Sequence, residues 1–197
     1  MKDWTGTKQF IASCNNRKIN AEQNDYYATE PKAVELLLQN ETFNHYIWEC
    51  ACGAGHISKV LSDAGYDVKS SDIVDRGYPE TEIINFLQPD ASLTEGEFVG
   101  DIITNPPYKY AREFVEKAIE ISKDSTKIAM FLKLTFLEGK ARRKLFDKHP
   151  PKTVYVFSSR VCCGKNGHFN PSENAVAYAW FVWEKGYTGD TVVIWIN

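Results

Sequence analysis

The chain has 197 residues, 43% of them hydrophobic, and a formal net charge of −3. This size and apolar content predict one compact domain with a substantial core. No run of about 18 apolar residues and no charged-then-apolar leader occurs, so we expect a cytoplasmic protein without a membrane span. Five cysteines, an odd number, favour a reducing compartment over a disulfide framework. Cys162, Cys163 and His168 are a conceivable metal cluster, but adjacent cysteines suit a zinc site poorly, so we expect free thiols and no metal.

In chain order, a polar N-terminal arm (residues 1–24) precedes a single domain (residues 25–197). Strands alternating with amphipathic helices predict an α/β fold, with a mostly parallel sheet and helices on both faces. The predicted strands are 46–51, 67–72, 82–87, 98–104, 127–134 and 153–158, and the predicted helices include 31–39, 111–121 and 139–148. Two aromatic-rich runs, 175–183 and 191–196, flank a glycine-containing turn. They predict a closing antiparallel hairpin at the C-terminus.

A short strand, a tight glycine turn and a helix follow one another in residues 46–61. Gly53 and Gly55 can adopt positive φ and let a ligand approach the backbone closely, and the helix that follows presents unpaired N–H groups. Ser58 stands where a dinucleotide fingerprint has its third glycine, so the pattern favours a nucleoside over a pyrophosphate. Asp72, about 20 residues further on, is placed to accept hydrogen bonds from both ribose hydroxyls.

The tetrapeptide Asn105-Pro106-Pro107-Tyr108 follows an apolar run that predicts a buried strand. An amine conjugated to a ring or carbonyl attacks an electrophile only when acceptors draw its hydrogens out of the plane. The Asn105 side chain and the Pro106 carbonyl are such acceptors, in a loop that two prolines stiffen, and Tyr108 offers a flat face for stacking. An ordinary Asn-Pro turn is the alternative. The glycine turn upstream favours the amine site.

Together these motifs resemble class I S-adenosylmethionine-dependent methyltransferases, and within them the N6-adenine DNA methyltransferases, over nearly the whole chain. The resemblance implies a Rossmann-like sheet of the seven-stranded type, S-adenosylmethionine as cofactor and S-adenosylhomocysteine as product. The motif order matches the gamma arrangement, and the length matches small phage or prophage enzymes. The implied catalytic residues are Asn105, Pro106, Pro107 and Tyr108. The implied cofactor-binding residues are Tyr27, Thr29, Glu49, Cys50, Ala51, Gly53, Gly55, His56, Asp72, Ile73, Asn85 and Phe86. Two positions depart from the family pattern: Asn85 replaces its usual Asp, and Glu30 separates Thr29 from Pro31.

Basic residues concentrate in the segment 127–165, which has a net charge of +8 and leaves −11 in the rest of the chain. A solvated helix face is one explanation, because residues 142–144 are consecutive and point in different directions. We favour a ridge that contacts phosphates beside the active site, with the loop 162–170 clamping an extruded base. The predicted substrate-binding residues are Tyr108, Lys133, Arg142, Arg143, Arg160, Lys165 and Phe169.

These features predict methyl transfer to a flipped adenine in DNA. The base is expected to stack on Tyr108 beside Phe169, while its N6 hydrogens bond to Asn105 and Pro106, and the nitrogen attacks the methyl group without a covalent enzyme intermediate. Adenine in RNA is the second choice, and cytosine N4 in DNA and glutamine N5 in proteins stay open. A non-catalytic S-adenosylmethionine-binding assembly subunit is the alternative outside enzymes. We expect no separate target-recognition domain, no membrane partner, and either a monomer or a homodimer.

Overall fold

The computed structural model describes residues 26–88, 96–165, 169 and 176–197, so the predicted N-terminal arm and His168 lie outside the described residues. The strands are β1 (Tyr27–Thr29), β2 (Tyr46–Glu49), β3 (Asp67–Asp72), β4 (Glu82–Ile83), β5 (Asp101–Thr104), β6 (Lys127–Lys133), β7 (Thr153–Phe157), β8 (Cys163–Lys165), β9 (Tyr178–Glu184) and β10 (Val192–Ile196). The helices are α1 (Pro31–Asn40), α2 (His56–Asp63), α3 (Ala111–Ile121) and α4 (Lys140–Lys148). Two 3₁₀ turns, Tyr108–Tyr110 and Leu134–Leu137, precede α3 and α4.

Eight strands form one sheet in the order β10-β7-β9-β6-β5-β2-β3-β4. All neighbours are parallel except β9, which is antiparallel to both β6 and β7. The predicted α/β fold with a mostly parallel sheet is therefore confirmed. Successive residues of β6 face opposite sides: Met130 packs in the core under α3 and α4, and Phe131 in the core under α1 and α2. Helices thus cover both faces of the sheet, as predicted.

The last two strands run in opposite directions, as expected for a C-terminal antiparallel arrangement. β7 lies between them, so Val154 pairs with Phe181 of β9 on one side and with Val193 of β10 on the other. Trp180 and Phe181 of β9 are buried, whereas Trp195 of β10 is 69% exposed. β9 therefore occupies the sheet interior and β10 its edge.

Some strands are shorter than predicted. β5 begins at Asp101 because Gly100 has φ +137° and a Cβ there would collide with the Tyr46 backbone oxygen, so the chain bends before the strand. β4 keeps only two residues of the predicted strand 82–87. Within the described ranges, no helix combines the length and apolar character needed to cross a membrane.

β1 and β8 were not predicted. They form a separate antiparallel pair in which Tyr27 lies opposite Lys165 and Thr29 opposite Cys163. This pair joins the residues just before α1 to the segment after β7. Part of the predicted base-clamping loop is therefore a strand.

Candidate active site

A cavity of about 590 Å³ lies at the carboxyl ends of β2, β3 and β5. This is where ligands bind in open α/β sheets. Ten of the twelve predicted cofactor-binding residues line it: Tyr27, Thr29, Glu49, Cys50, Ala51, His56, Asp72, Ile73, Asn85 and Phe86. Asn105 and Pro107 of the predicted catalytic tetrapeptide line it as well. The structure thus brings together the glycine turn, the acid at the end of β3 and the tetrapeptide.

The glycine turn between β2 and α2 needs both of its glycines. Gly53 has φ +56° and Gly55 has φ +77°. A Cβ on Gly53 would overlap the Tyr26 ring, and one on Gly55 would overlap the Tyr78 ring. Two aromatic rings therefore close directly over the turn, and the glycines lie behind the cavity wall.

Glu49 anchors the first turn of α2. Its Oε2 accepts hydrogen bonds from the backbone N–H of Ser58, at 2.7 Å, and from the Ser58 hydroxyl. The Ser58 and Ser70 hydroxyls are 2.7 Å apart. Burial raises the pKa of Glu49 to about 8, although the bonds from Ser58 oppose the shift. The serine that replaces a third glycine therefore holds a buried carboxyl in place.

Asp72 closes the other side of the turn. Its Oδ2 accepts the Gly53 N–H at 2.8 Å and its Oδ1 accepts the Val74 N–H at 3.0 Å. Each carboxylate oxygen has a further lone pair, so the side chain retains capacity for two more donors. Ile73, the next residue, lines the cavity with a 55% exposed side chain. This places an acceptor pair beside an apolar surface.

Asn85 and Phe86 form the cavity wall after β4. The Asn85 Oδ1 accepts the Leu87 N–H at 3.2 Å, so Asn in place of the family's usual Asp shapes a local turn. Phe86 is buried and stacks on Phe114, with ring centroids 5.0 Å apart. It also meets Trp48 edge-on at 5.3 Å. The wall is therefore held by the core below it.

Asn105 is fixed by contacts with distant parts of the chain. Its Nδ2 donates to the Tyr27 carbonyl at 2.8 Å, to the Thr29 Oγ1 at 3.0 Å and to the Cys163 Sγ at 3.6 Å. No donor among the described residues contacts its Oδ1, so the carbonyl oxygen is the free acceptor of this side chain. The β1–β8 pair therefore sets which way the amide points.

Tyr108 is enclosed by other side chains. Its ring stacks with Tyr27 at 6.2 Å and lies 5.9 Å from the Tyr178 ring, and the Lys133 Nζ lies 4.6 Å from its centroid. Its hydroxyl is 3.1 Å from the Cys163 Sγ. Burial raises the pKa of Tyr108 well above its ordinary value, so the phenol stays protonated at neutral pH.

The predicted phosphate-binding residues differ in the contacts that their side chains already make. Arg142 donates to the backbone oxygens of Glu138 and Thr135 and lies over the Phe136 ring, so it caps the turn before α4. Arg143 forms an exposed ion pair with Asp147 at 2.6 Å. Arg160 is exposed, and Lys165 has its backbone in β8.

Phe169 lies on the cofactor side of the cavity and not against Tyr108. Its ring meets the His56 ring edge-on, with centroids 5.6 Å apart. The His56 Nδ1 is 3.3 Å from the Tyr26 hydroxyl, and burial lowers the pKa of His56. Neutral His56 therefore packs the outer wall of the glycine turn.

Several residues at the site were missed by the sequence analysis. Tyr26, Arg76, Lys109 and Tyr110 line the cavity, and Cys163 contacts two residues of the catalytic tetrapeptide. Lys109 and Tyr110 directly follow the tetrapeptide, so their position was a usable signal. Arg76 and Cys163 lie in loop and edge segments with no periodic pattern, and their approach depends on the fold.

Neither a protein-family profile nor a curated protein sequence matches this chain. Solved structures match its fold. A methyltransferase subunit of a type I restriction-modification system from Streptococcus thermophilus aligns with a TM-score of 0.60 and 14% identity, over 98% of this chain and 53% of that chain. A modification subunit ascribed to a type I restriction enzyme of Vibrio vulnificus aligns with a TM-score of 0.59 and 12% identity, over 94% and 49%.

A protein from Agrobacterium tumefaciens named as a predicted O-methyltransferase aligns with a TM-score of 0.61 and 11% identity, over 84% of this chain and 85% of that chain. The chain therefore has the fold of class I S-adenosylmethionine-dependent methyltransferases. It spans about half the length of the two restriction-modification subunits.

Proposed function

We propose that this protein is an S-adenosylmethionine-dependent methyltransferase that modifies the exocyclic N6 of adenine in DNA. The observation that carries the proposal is the orientation of Asn105. Its Nδ2 is committed to Tyr27 and Thr29, which leaves Oδ1 to accept a hydrogen from a substrate amine. Asp72 lines the same cavity, so one space can hold both a nucleoside cofactor and an amine substrate.

The residues of the cavity fit the cofactor. A volume of about 590 Å³ suits a ligand of this size. Asp72 has acceptor capacity for the ribose hydroxyls, and the apolar side chains of Ile73 and Phe86 border the position expected for an adenine ring. When bound, S-adenosylmethionine supplies an electrophilic methyl group on a sulfonium centre.

The chain's own residues then prepare the amine. The Asn105 Oδ1 and the Pro106 carbonyl accept the two N–H hydrogens and draw them out of the ring plane, which withdraws the nitrogen lone pair from conjugation with the ring and makes it available for attack. Pro106 has no N–H and a fixed φ, so its loop presents the carbonyl without reorganisation. After transfer the methylated nitrogen is positively charged, and it becomes neutral when it loses one of its two original hydrogens to solvent as a proton. No side chain needs to act as a nucleophile.

Tyr108 does not line the cavity and its ring contacts Tyr27, Tyr178 and Lys133, so stacking of the base on it requires the Lys133 side chain to move away from the ring. Lys133 lies over the ring, and a cation–π contact of this kind contributes about 0.5–1 kcal/mol. Stacking of a base on an aromatic side chain contributes about 1–3 kcal/mol. The exchange favours the base, and the displaced Lys133 ammonium becomes free to contact a phosphate.

Charge supports a nucleic acid as the substrate. The segment 127–165 carries a net charge of +8, and β6 and β7 within it end at the edge of the sheet that holds the cavity. Two of the structural neighbours are named as subunits of restriction-modification systems. Both observations favour DNA over a protein glutamine as the methyl acceptor.

Transfer of labelled methyl from S-adenosylmethionine tests the proposal. Unmethylated duplex DNA, total RNA and a protein extract are incubated in parallel, and nucleosides are identified by mass spectrometry. We expect N6-methyladenine in DNA. Label in RNA or protein would retain the amine chemistry and replace the substrate. Cofactor binding without any transfer would favour a non-catalytic subunit.

A further inference from the structure

Arg76 lies on the loop after β3 and contributes to the cavity wall. Its guanidinium lies over the Tyr26 ring, 4.4 Å from the centroid. Its Nε is buried and finds no hydrogen-bond partner among the described residues. Within the described ranges Arg76 also has no ion pair, which sets it apart from arginines such as Arg112 and Arg143.

The guanidinium of Arg76 lacks a hydrogen-bond acceptor for its buried Nε–H. Arginine stays charged at any physiological pH, and withdrawing its Nε–H from water without an acceptor is unfavourable. Glu49 and Asp72 line the same cavity, but Glu49 accepts from Ser58, Asp72 accepts from Gly53 and Val74, and within the described ranges neither forms an ion pair with Arg76. The missing acceptor is therefore expected to come with a ligand.

Tyr26 fixes Arg76 on the cofactor side of the site. The Tyr26 hydroxyl accepts the Ala54 N–H at 3.3 Å and lies 3.3 Å from the His56 Nδ1, so the ring covers the glycine turn. The guanidinium stacks on this ring and is held over the same turn.

The charge around Arg76 favours the carboxylate of a small ligand over a nucleic acid as its partner. Residues 72–82 contain four acids and only one basic residue, Arg76 itself. A polyanion such as nucleic acid is repelled by such a loop, whereas a single carboxylate of a small ligand can reach one arginine. The basic segment 127–165 offers phosphates a more favourable surface.

We propose that Arg76 binds the carboxylate at the amino-acid end of the cofactor, an inference that rests on the proposed function. Arginine pairs with carboxylates through two parallel hydrogen bonds. Stacking on Tyr26 orients the guanidinium before the ligand arrives, so less side-chain freedom is lost on binding.

Calorimetric titration with two ligands tests this role. S-adenosylhomocysteine carries the carboxylate, and 5′-methylthioadenosine shares its nucleoside but lacks the amino-acid end. We expect Arg76→Gln to weaken S-adenosylhomocysteine binding about 10- to 100-fold and to change methylthioadenosine binding less than about threefold. The affinity of Arg76→Lys for S-adenosylhomocysteine should lie between those of the wild-type protein and Arg76→Gln, because the charge remains and the paired geometry is lost. Arg112→Gln, which removes an arginine already paired with Glu113, is the matched control.

Each other result has a defined meaning. Equal loss for both ligands would overturn the carboxylate assignment and give Arg76 a general role in the nucleoside site. Unchanged S-adenosylhomocysteine affinity in Arg76→Gln would overturn the inference while the proposed function stands. Failure of the wild-type protein to bind S-adenosylhomocysteine would overturn the proposed function itself.

Discussion

The proposed catalytic tetrapeptide and the basic segment are held in place by different kinds of contact. The Asn105 side chain donates hydrogen bonds to Tyr27, Thr29 and Cys163, which lie 78, 76 and 58 residues away in the sequence, respectively. Arg143 bonds to Asp147, only four residues away on the same helix. One side chain is thus positioned by the whole fold, and the other by its own helix.

This difference decides what each region reveals about function. A side chain fixed from several directions has one orientation, so its free atom specifies the chemistry that it can do. An exposed charge on a helix can contact many polyanions through a mobile side chain. The structure therefore supports the proposed amine chemistry more directly than it supports any one polymer as the substrate.

The largest effect is expected from the free acceptor itself. Asn105→Ala should lower kcat by about 1,000-fold, because the amine loses the acceptor that directs its lone pair. S-adenosylhomocysteine affinity should change less than about threefold, since Asp72 and the glycine turn are intact. Single-turnover methyl transfer and calorimetry measure the two quantities. Near-normal turnover in this variant would refute the role of Asn105.

A stability effect is expected at the buried carboxyl behind the glycine turn. Burial raises the pKa of Glu49 from 4.5 to about 8, so the folded protein keeps a proton that the unfolded chain releases at lower pH. The free energy of unfolding should therefore fall as pH rises from about 4.5 to 8, by at most about 1.4 kcal/mol per pH unit from this group.

Urea unfolding between pH 5 and pH 8 measures this dependence. In Glu49→Gln, which keeps a carbonyl acceptor for Ser58 but cannot ionise, the decline over that window should be smaller. Parallel pH profiles for the two proteins would show that Glu49 does not titrate in this range.

A smaller effect should follow from loosening the anchor of Asn105. Thr29→Val removes the Oγ1 acceptor but leaves the Tyr27 carbonyl, so we expect kcat to drop about tenfold, with little change in cofactor affinity. The resemblance to methyltransferases instead assigns Thr29 to the cofactor. A raised cofactor KM at unchanged kcat would support that assignment and contradict the anchoring role.

The smallest effect is expected on the basic segment. Arg143→Gln should weaken DNA binding by on the order of threefold and reduce the slope of log K against log salt by about 1, if Arg143 contacts one phosphate. Arg112→Gln, outside that segment, is the control. Fluorescence anisotropy over a range of salt concentrations measures the slope. An unchanged slope would make Arg143 a solvated residue of α4.

The sequence predicted the parts of the site that local patterns encode. The glycine turn after β2, Asp72 as the last residue of β3 and the tetrapeptide after β5 are all at strand ends, and hydrophobic periodicity locates those ends. The bounds of α3 were also predicted, because Phe114, Ala118 and Ile121 recur at helical spacing and are buried.

The parts that were missed depend on contacts between distant short segments. β1 and β8 have three residues each, too few for an alternating pattern, and about 130 residues separate them. Arg142 looked available for a phosphate, but its donors are used by carbonyls of the preceding turn. Phe169 was expected beside Tyr108, and the chain path places it beside His56.

The β1–β8 pair makes ligand capture and chemistry separable. The glycine turn and Asp72 belong to β2, α2 and β3, whereas the Asn105 amide takes its orientation from β1, which β8 holds from the other end of the chain. Residues 158–160, which join β7 to this region, are exposed. A single proteolytic nick there should cut the covalent link from β7 to β8, while β8 stays joined to β9 and the eight-stranded sheet stays intact. We expect the nicked molecule still to bind S-adenosylmethionine but to orient the substrate amine at Asn105 less well.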